Sequence, residues 1–213
     1  MKTGILWDLD GTLLDTLEDL LDATNHALEI HGFPPRTLQE LRRFVGNGAA
    51  TQIRLALGAE NESAWEKVLA TYKPWYKDHC QIKTRPYQGI PGVLDALGKR
   101  YPMAIVSNKP DAAVKELCAR YFPGIYALGE RPDCPRKPAP DMVRKAMDAI
   151  GVDRCIYVGD SEVDVLTAAN AEVPCLTVLW GFRDEPELRK AGATYFCYKP
   201  EELPAMIEMI NNM

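Results

Sequence analysis

The sequence LWDLDGT (6–12) ends a short apolar run with two aspartates and a Gly-Thr turn. Short apolar runs that end in turn residues are typical of buried strands. Asp8 and Asp10 are two positions apart, so their side chains share one side of the chain if the backbone is still extended there. The pattern therefore predicts a buried first strand with a pair of carboxylates at its carboxyl end.

The composition is that of an ordinary globular protein. The chain has 213 residues and a net charge of −5, with 46% hydrophobic and 26% charged residues. Its Lys and Arg residues form no basic stripe, so a nucleic-acid partner is not expected. The six cysteines contain no C-x-x-C pair, which argues against a zinc site or redox motif. Without a signal-peptide pattern or a membrane-length apolar window, we expect a cytoplasmic protein with no membrane partner.

Further apolar runs alternate with segments of helical length. The strand candidates are 4–9, 103–108, 155–160 and 175–180, with weaker candidates at 124–129 and 194–197. The helix candidates between them are 111–122, 141–151 and 161–171. Strands that alternate with helices favour a parallel sheet covered on both faces, which is an α/β fold.

One region interrupts this alternation. From Asp15 to about Gln81 only helical periodicity is found, with one apolar stripe that begins at Leu17 and another that begins at Trp65. Pro and Gly residues at 85–92 mark the return to the alternating pattern. We therefore expect an α/β core made of residues 1–14 and 86–213, and a helical insert at 15–85 that follows the first strand.

Polar residues stand at the carboxyl ends of several predicted strands. Ser107 and Asn108 end one strand, and Asp160 ends another, with Asp164 one helical turn later. In open α/β sheets, ligands bind outside these strand ends. Carboxylates that cluster there repel one another unless a cation lies between them. An oxygen-only cluster favours Mg²⁺ over Zn²⁺.

The same edge offers groups that suit a phosphate. The Gly11-Thr12 turn has backbone N–H groups, Ser107 has a hydroxyl, and Lys137 has a compact positive charge. A carboxylate such as Asp8 can attack phosphorus, and Asp10 can protonate the leaving oxygen and then activate water. The residues therefore predict phosphoryl transfer through a carboxylate nucleophile.

At this point the whole chain resembles the haloacid dehalogenase (HAD) superfamily, in its phosphoglycolate phosphatase-like branch. The four motifs of that family resemble WDLDGTLLDT (7–16), VSNK (106–109), KPAP (137–140) and GDSEVD (159–164). Four motifs in order, each at a strand end or in the next loop, make a far more specific signal than one alone. The resemblance implies a Rossmann-like parallel-sheet core and makes the insert an all-helical cap that selects the substrate.

The resemblance also implies a role for each matching residue. Asp8 is the nucleophile and Asp10 the acid/base. Phosphate is bound by Gly11, Thr12, Ser107, Asn108 and Lys137. Mg²⁺ is held by Asp8, Asp160 and the backbone carbonyl of Asp10, while Asp164 and Ser161 support these ligands.

The function implied is a Mg²⁺-dependent phosphatase for a small anionic phosphomonoester, with phosphoglycolate as the first expectation. The presence of Asp10 favours a phosphatase or phosphomutase over a dehalogenase. The alternatives left open are a β-phosphoglucomutase-like mutase, a pyrophosphatase, and a signalling or non-catalytic protein that binds phosphate or Mg²⁺. The expected partner is a small phosphorylated metabolite, and the expected state is a monomer or homodimer.

Less specific signals lie in the insert and after the fourth strong strand. The Gly46-Asn47-Gly48 turn, with Gly48 opening a helix, could present N–H groups to an anionic substrate, or be an ordinary loop. Arg42 and Arg43 are candidates for the same role, or solvated arginines. The stripe of Trp65, Tyr72 and Tyr76 is more typical of packing than of substrate contact. LWGF (179–182) resembles an element of the same family branch, or is a turn with a packing Trp.

Overall fold

The computed structural model describes residues 2–213. Its strands are β1 (Thr3–Trp7), β2 (Leu14–Asp15), β3 (Arg85–Pro86), β4 (Met103–Pro110), β5 (Tyr126–Glu130), β6 (Arg154–Gly159), β7 (Cys175–Val178) and β8 (Tyr195–Cys197). Six of them form one parallel sheet in the order β5-β4-β1-β6-β7-β8. The predicted parallel α/β sheet is confirmed, and β1 lies at its centre.

Helices cover both faces of the sheet and build the insert. They are α1 (Leu17–Ile30), α2 (Leu38–Phe44), α3 (Gly48–Leu57), α4 (Trp65–His79), α5 (Ile90–Gly98), α6 (Asp111–Tyr121), α7 (Asp141–Ile150), α8 (Glu162–Ala171), α9 (Glu185–Lys190) and α10 (Leu203–Asn211). Two 3₁₀ turns lie at Ala59–Ala64 and Pro200–Glu202. Among residues 2–213, no helix is both long and apolar enough to span a bilayer.

The position of β1 explains its apolar sequence. Ile5, Leu6 and Trp7 are fully buried, and Trp7 pairs with Ile105 on one side and with Val158 on the other. Ile5 and Trp7 join the larger apolar cluster, whereas Leu6 joins a second cluster on the opposite face. Because both faces of β1 are covered, the chain becomes polar only where the strand ends.

The insert packs through the two predicted stripes. Leu20 and Leu28 of α1 and Leu69, Tyr72 and Tyr76 of α4 are buried. Burying such side chains is the main source of stability for an amphipathic helix.

The insert joins the core through a small second sheet. Here Leu14 pairs with Pro86 and Asp15 pairs with Arg85, in antiparallel register. The sequence analysis did not anticipate this sheet, because a strand of two residues is too short to produce a hydrophobic period. The assignment of 15–85 as a separate cap domain stays a prediction.

Candidate active site

The polar residues that follow the central strands line one cavity of about 40 Å³. Asp8 follows β1, Asp160 follows β6, and Ser107 lies in β4, on the other side of β1. The core residues that line the cavity are Asp8, Asp10, Ser107, Asn108, Lys109, Pro110, Lys137, Asp160, Ser161 and Phe182. The structure therefore brings together residues as far apart in the sequence as Asp8 and Phe182.

A buried lysine links the residues at the base of the cavity. The Lys137 ammonium donates to Asp8 Oδ1 and to Asp164 Oδ1, both at 2.8 Å, and to the Tyr157 hydroxyl at 3.1 Å. The Lys137 side chain is only 2% exposed. An ammonium has three N–H donors, so these three contacts use all of them. Lys137 is consequently held in one position next to Asp8.

Asp164 holds this lysine and also the start of helix α8. Its Oδ2 accepts hydrogen bonds from the Ser161 hydroxyl at 2.6 Å and from the Ser161 N–H at 3.0 Å. The Ser161 hydroxyl in turn accepts from the Asp164 N–H, which completes a capping box. Asp164 thus fixes the loop that carries Asp160, while its role in supporting a metal site stays a prediction.

Asp160 is held by donors on each of its two oxygens. The Thr12 hydroxyl donates to Oδ1 at 2.9 Å, and the Phe182 N–H donates to Oδ2 at 2.7 Å. Gly11 and Gly181 both lie against this carboxylate, and a Cβ at either position would collide with it. The glycines of the DGT and WGF segments are therefore needed for the close approach of the chain to Asp160.

Burial and charge raise the pKa of two of these carboxyls. Burial, followed by the nearby charge of Asp164, raises the pKa of Asp160 to about 7. The same two causes raise the pKa of Asp8 well above its usual range, although the Lys137 ammonium opposes them. Burial also disfavours the charge on Lys137, but Asp164 and Asp8 outweigh it and raise the lysine's pKa. The cluster of Asp8, Asp160 and Asp164 therefore offers more negative charge than Lys137 alone neutralises.

The donor set fits a hard cation. Asp8, Asp160 and Asp164 each offer a carboxylate oxygen, and these atoms lie within 4.8 Å of one another. Carboxylates whose pKa is raised by mutual repulsion are stabilised by a cation. Asp8 and Asp160 line the cavity, whereas the fully buried Asp164 does not, so Asp8 and Asp160 are the carboxylates best placed to bind one.

A second lysine, Lys109, holds Asp10. Its ammonium donates to Asp10 Oδ1 at 2.7 Å and to Oδ2 at 2.9 Å, and it lies 4.8 Å from the ring centre of Tyr76. The Lys109 side chain is 2% exposed. The sequence analysis assigned it no role, although it belongs to the VSNK segment. A lysine three positions after the apolar run of a predicted strand was the available signal.

Three predicted phosphate ligands have partners within the protein. The Gly11 N–H donates to the Leu14 carbonyl at 2.9 Å. The Asn108 amide donates to the carbonyls of Gly46 and Lys137 and accepts from the Lys137 N–H. The Thr12 hydroxyl is held by Asp160. The structure thus engages these groups in building the site, and their role as phosphate ligands stays a prediction.

Ser107 differs from these residues, because its hydroxyl proton remains available. The Ser107 Oγ accepts a hydrogen bond from the Lys109 N–H at 3.2 Å. A hydroxyl that accepts one hydrogen bond can still donate its own proton. Ser107 therefore lines the cavity with a donor that can meet a phosphate oxygen.

The insert closes the cavity with uncharged residues. They are Leu20, Val45, Gly46, Gly48, Ala49, Gln52, Tyr72 and Tyr76. Gly48 opens α3 with a positive φ of 80°, and a Cβ there would lie 2.7 Å from Arg136 Nη1. Tyr72 and Tyr76 are buried in the apolar core and also line the cavity. The sequence analysis had treated packing and substrate contact as alternatives for them.

The remaining candidates connect the insert to the core. Arg42 donates to the Gly181 carbonyl and to Asp184 Oδ1, both at 3.1 Å, while Arg43 is exposed. Trp180 donates from its indole N–H to the Thr12 carbonyl at 3.0 Å. LWGF is thus more than a packing turn, because it contacts the DGT turn through Trp180 and Asp160 through Phe182.

Comparison with known proteins identifies the family. A family model described as haloacid dehalogenase-like hydrolase matches residues 5–178. The chain therefore belongs to the haloacid dehalogenase-like hydrolases. The predicted resemblance and the predicted hydrolase class are confirmed.

Individual relatives agree with this assignment. A phosphoglycolate phosphatase of Neisseria meningitidis is 31% identical over 90% of this chain and 86% of its own length. A 5′-nucleotidase of Pseudomonas aeruginosa is 30% identical over 96% of this chain and 95% of its own. A crystal structure from Lactobacillus delbrueckii subsp. bulgaricus, provisionally assigned as a phosphoglycolate phosphatase, is 38% identical with a TM-score of 0.90. The match between the two covers 97% of this chain and 99% of the Lactobacillus chain.

Proposed function

We propose that this protein is a Mg²⁺-dependent phosphatase that hydrolyses a small anionic phosphomonoester, with phosphoglycolate as the first candidate. The observation that carries the proposal is the buried cluster of Asp8, Asp160 and Asp164 around Lys137, at the carboxyl edge of the central strands. The names of several relatives, phosphoglycolate phosphatase among them, support the same chemistry.

Asp8 is the proposed nucleophile. One of its oxygens, Oδ1, is held by Lys137, which leaves the other free to attack phosphorus. The attack forms a P–O bond to Asp8 and breaks the bond between phosphorus and the ester oxygen. Lys137 offsets the negative charge of the transferring group next to Asp8.

Asp10 is the proposed acid and base. It donates a proton to the departing ester oxygen, which leaves as an alcohol. It then accepts a proton from a water whose oxygen attacks phosphorus. The bond between phosphorus and Asp8 breaks, so inorganic phosphate is released and the Asp8 carboxylate is restored. Lys109 contacts both oxygens of Asp10, so it fixes the direction of this carboxyl group.

Mg²⁺ is the proposed cation, held by Asp8 and Asp160, with the Asp10 backbone carbonyl as the third protein ligand carried over from the resemblance. When bound, it supplies positive charge that polarises the phosphoryl group. An all-oxygen donor set suits Mg²⁺, which also keeps several waters and binds substrate phosphate.

The insert wall of the cavity is consistent with an anionic substrate. The insert offers no charged side chain to the cavity, but α3 begins there at Gly48 with backbone N–H groups. Helix N-termini favour anions, which is consistent with a carboxylate on the substrate.

The test is phosphate release from a panel of esters in the presence of Mg²⁺. The panel contains phosphoglycolate, sugar phosphates, nucleoside monophosphates, pyrophosphate and p-nitrophenyl phosphate. We expect the highest kcat/KM for phosphoglycolate or an ester of similar size, since selectivity is a ratio of kcat/KM values. Release from no member of the panel, or isomerisation of a sugar phosphate without release, would contradict the proposal.

A further inference from the structure

The side chain of Arg183 crosses from the core to the insert. Its Nη1 donates to the Arg42 carbonyl at 2.7 Å, and its Nη2 donates to the Val45 carbonyl at 2.8 Å. Its Nε donates to Glu162 Oε2 in the core at 2.7 Å. The side chain is 8% exposed. One buried guanidinium thus binds the end of α2 on one side and the start of α8 on the other.

Arg183 binds backbone carbonyls at the carboxyl end of α2, where no further helical N–H is available to them. Helix α2 ends at Phe44, and the last carbonyls of a helix have no intrahelical N–H. A cation at this end also interacts favourably with the helix dipole. The planar guanidinium presents its N–H donors in a fixed fork, and here it binds two carbonyls and a carboxylate at once.

The segment held by Arg183 forms one wall of the cavity. Val45, Gly46 and Gly48 all line it. The Gly46 carbonyl accepts from the amide of Asn108, which is the neighbour of Ser107 in β4. The turn is consequently fixed from the two sides of the site, by Asn108 and by Arg183.

Arg183 is also tied to the base of the site. The preceding residue, Phe182, donates its N–H to Asp160, and Glu162 follows Asp160 by two positions. The position of the 45–48 turn is therefore set relative to Asp160 through a short chain of buried contacts.

We propose that Arg183 is a positioning residue that holds the 45–48 turn against the core and thereby restricts the enzyme to phosphomonoesters with a small leaving group. The inference rests on the proposed phosphatase function. Under this inference, selectivity for the size of the leaving group depends on a core residue outside the cavity as well as on the residues that line the cavity.

Arg42 provides an internal comparison. It also joins the insert to the core, but its side chain is 40% exposed and that of its partner Asp184 is 72% exposed. Exposed ion pairs contribute little. Arg183 is itself buried, and besides the 34% exposed Glu162 it binds two backbone carbonyls that Arg42 does not. Of the two connections, that of Arg183 therefore dominates.

The experiment compares Arg183→Met and Arg183→Lys with the wild type, and uses Arg43→Met as the matched control on an exposed arginine of α2. The substrates are phosphoglycolate and adenosine 5′-monophosphate. We expect the kcat/KM ratio of the small to the bulky ester to fall about tenfold to a hundredfold in both Arg183 variants, the range for lost hydrogen bonds to a charged group. Inhibition by inorganic phosphate, which needs only the core, stays unchanged.

A second measurement does not depend on activity. Amide hydrogen exchange at residues 45–50 is expected to become faster in the Arg183 variants than in the wild type or in Arg43→Met. If Arg183→Met does not fold, Arg183→Lys supplies both measurements.

The outcomes separate this inference from the proposed function. A parallel loss for both esters, or unchanged exchange at residues 45–50, overturns the role of Arg183. If the wild type releases no phosphate from any ester, the proposed function fails and the size selectivity assigned to Arg183 fails with it. In that case the exchange rates still show whether Arg183 holds the turn.

Discussion

The two walls of the cavity are built from opposite chemistries. The wall from the core holds buried charges in contact, with Lys137 between Asp8 and Asp164 and with Lys109 on Asp10. The wall from the insert is uncharged and includes Gln52, Tyr72 and Tyr76. Charged groups that contact one another tolerate little variation, since an unpaired buried charge is costly. The core wall is therefore suited to the reaction and the insert wall to the choice of substrate.

The largest expected effect comes from removing Asp8, the proposed nucleophile, from the core wall. Asp8→Asn keeps the shape of the side chain but removes its ability to attack phosphorus, so kcat is expected to fall on the order of a thousandfold or more. Steady-state phosphate release measures the effect, and circular dichroism checks the fold. Substantial turnover in a folded variant would remove Asp8 from the mechanism.

The next effect tests the lysine that links the carboxylates. Lys137→Met leaves Asp8 and Asp164 without their shared partner, so activity is expected to fall roughly a hundredfold through lost charge stabilisation. The free energy of unfolding should drop by about 3–5 kcal/mol, as for other broken buried ion pairs. Urea denaturation measures the drop, with the exposed Lys190→Met as a control. Equal stability of the two variants would argue against the network.

A smaller effect concerns cation binding and pH. Because the pKa of Asp160 is raised to about 7 in the cation-free protein, ionisation of this group disfavours folding. A carboxyl with a raised folded-state pKa contributes stability at low pH that is lost as the pH rises through that pKa. Added Mg²⁺ should therefore raise the midpoint of thermal unfolding more at about pH 8 than at about pH 5. A larger Mg²⁺ effect at the lower pH would contradict the proposed ligands.

The smallest effect is expected in the insert wall. Within the described part of the chain, the buried Tyr76 hydroxyl has no hydrogen-bond partner. If this hydroxyl binds the substrate, Tyr76→Phe should raise KM roughly threefold to tenfold with little change in kcat, as for one neutral hydrogen bond. Stability should not fall, since no protein contact of the hydroxyl is lost. A variant with the KM of the wild type would limit Tyr76 to packing.

The difference between the walls also explains what could be predicted from the sequence. Asp8, Asp10 and Asp160 follow strands with strong apolar patterns, and parallel strands bring their carboxyl ends to one edge. The position of the cluster could therefore be deduced from strand periodicity alone. Lys137 lies in a loop, so no strand pattern placed it at this edge; its charge made it a candidate, and the resemblance to a family gave it a position in a motif.

Other contacts left no local pattern to read. Arg183 lies 138 residues from Val45, and its partners are backbone carbonyls, which no residue type identifies. Asn108 likewise has partners that no residue type identifies, because its amide donates to the backbone carbonyls of Gly46 and Lys137. The engagement of Thr12 by Asp160 and of Gly11 by Leu14 likewise depends on how the DGT turn folds back. Long-range contacts to the backbone become visible only in the structure.

The small sheet of Leu14–Asp15 and Arg85–Pro86 has a consequence for how this chain can change. Both ends of the insert leave the core side by side, as the two arms of a hairpin do. A segment whose two ends lie next to each other can be exchanged or shortened without changing the path of the chain in the rest of the protein. Domain insertion is tolerated at such points for this reason. We therefore expect that inserts from other members of the family can be grafted between these two strands. The same α/β core would then carry different inserts over its candidate active site.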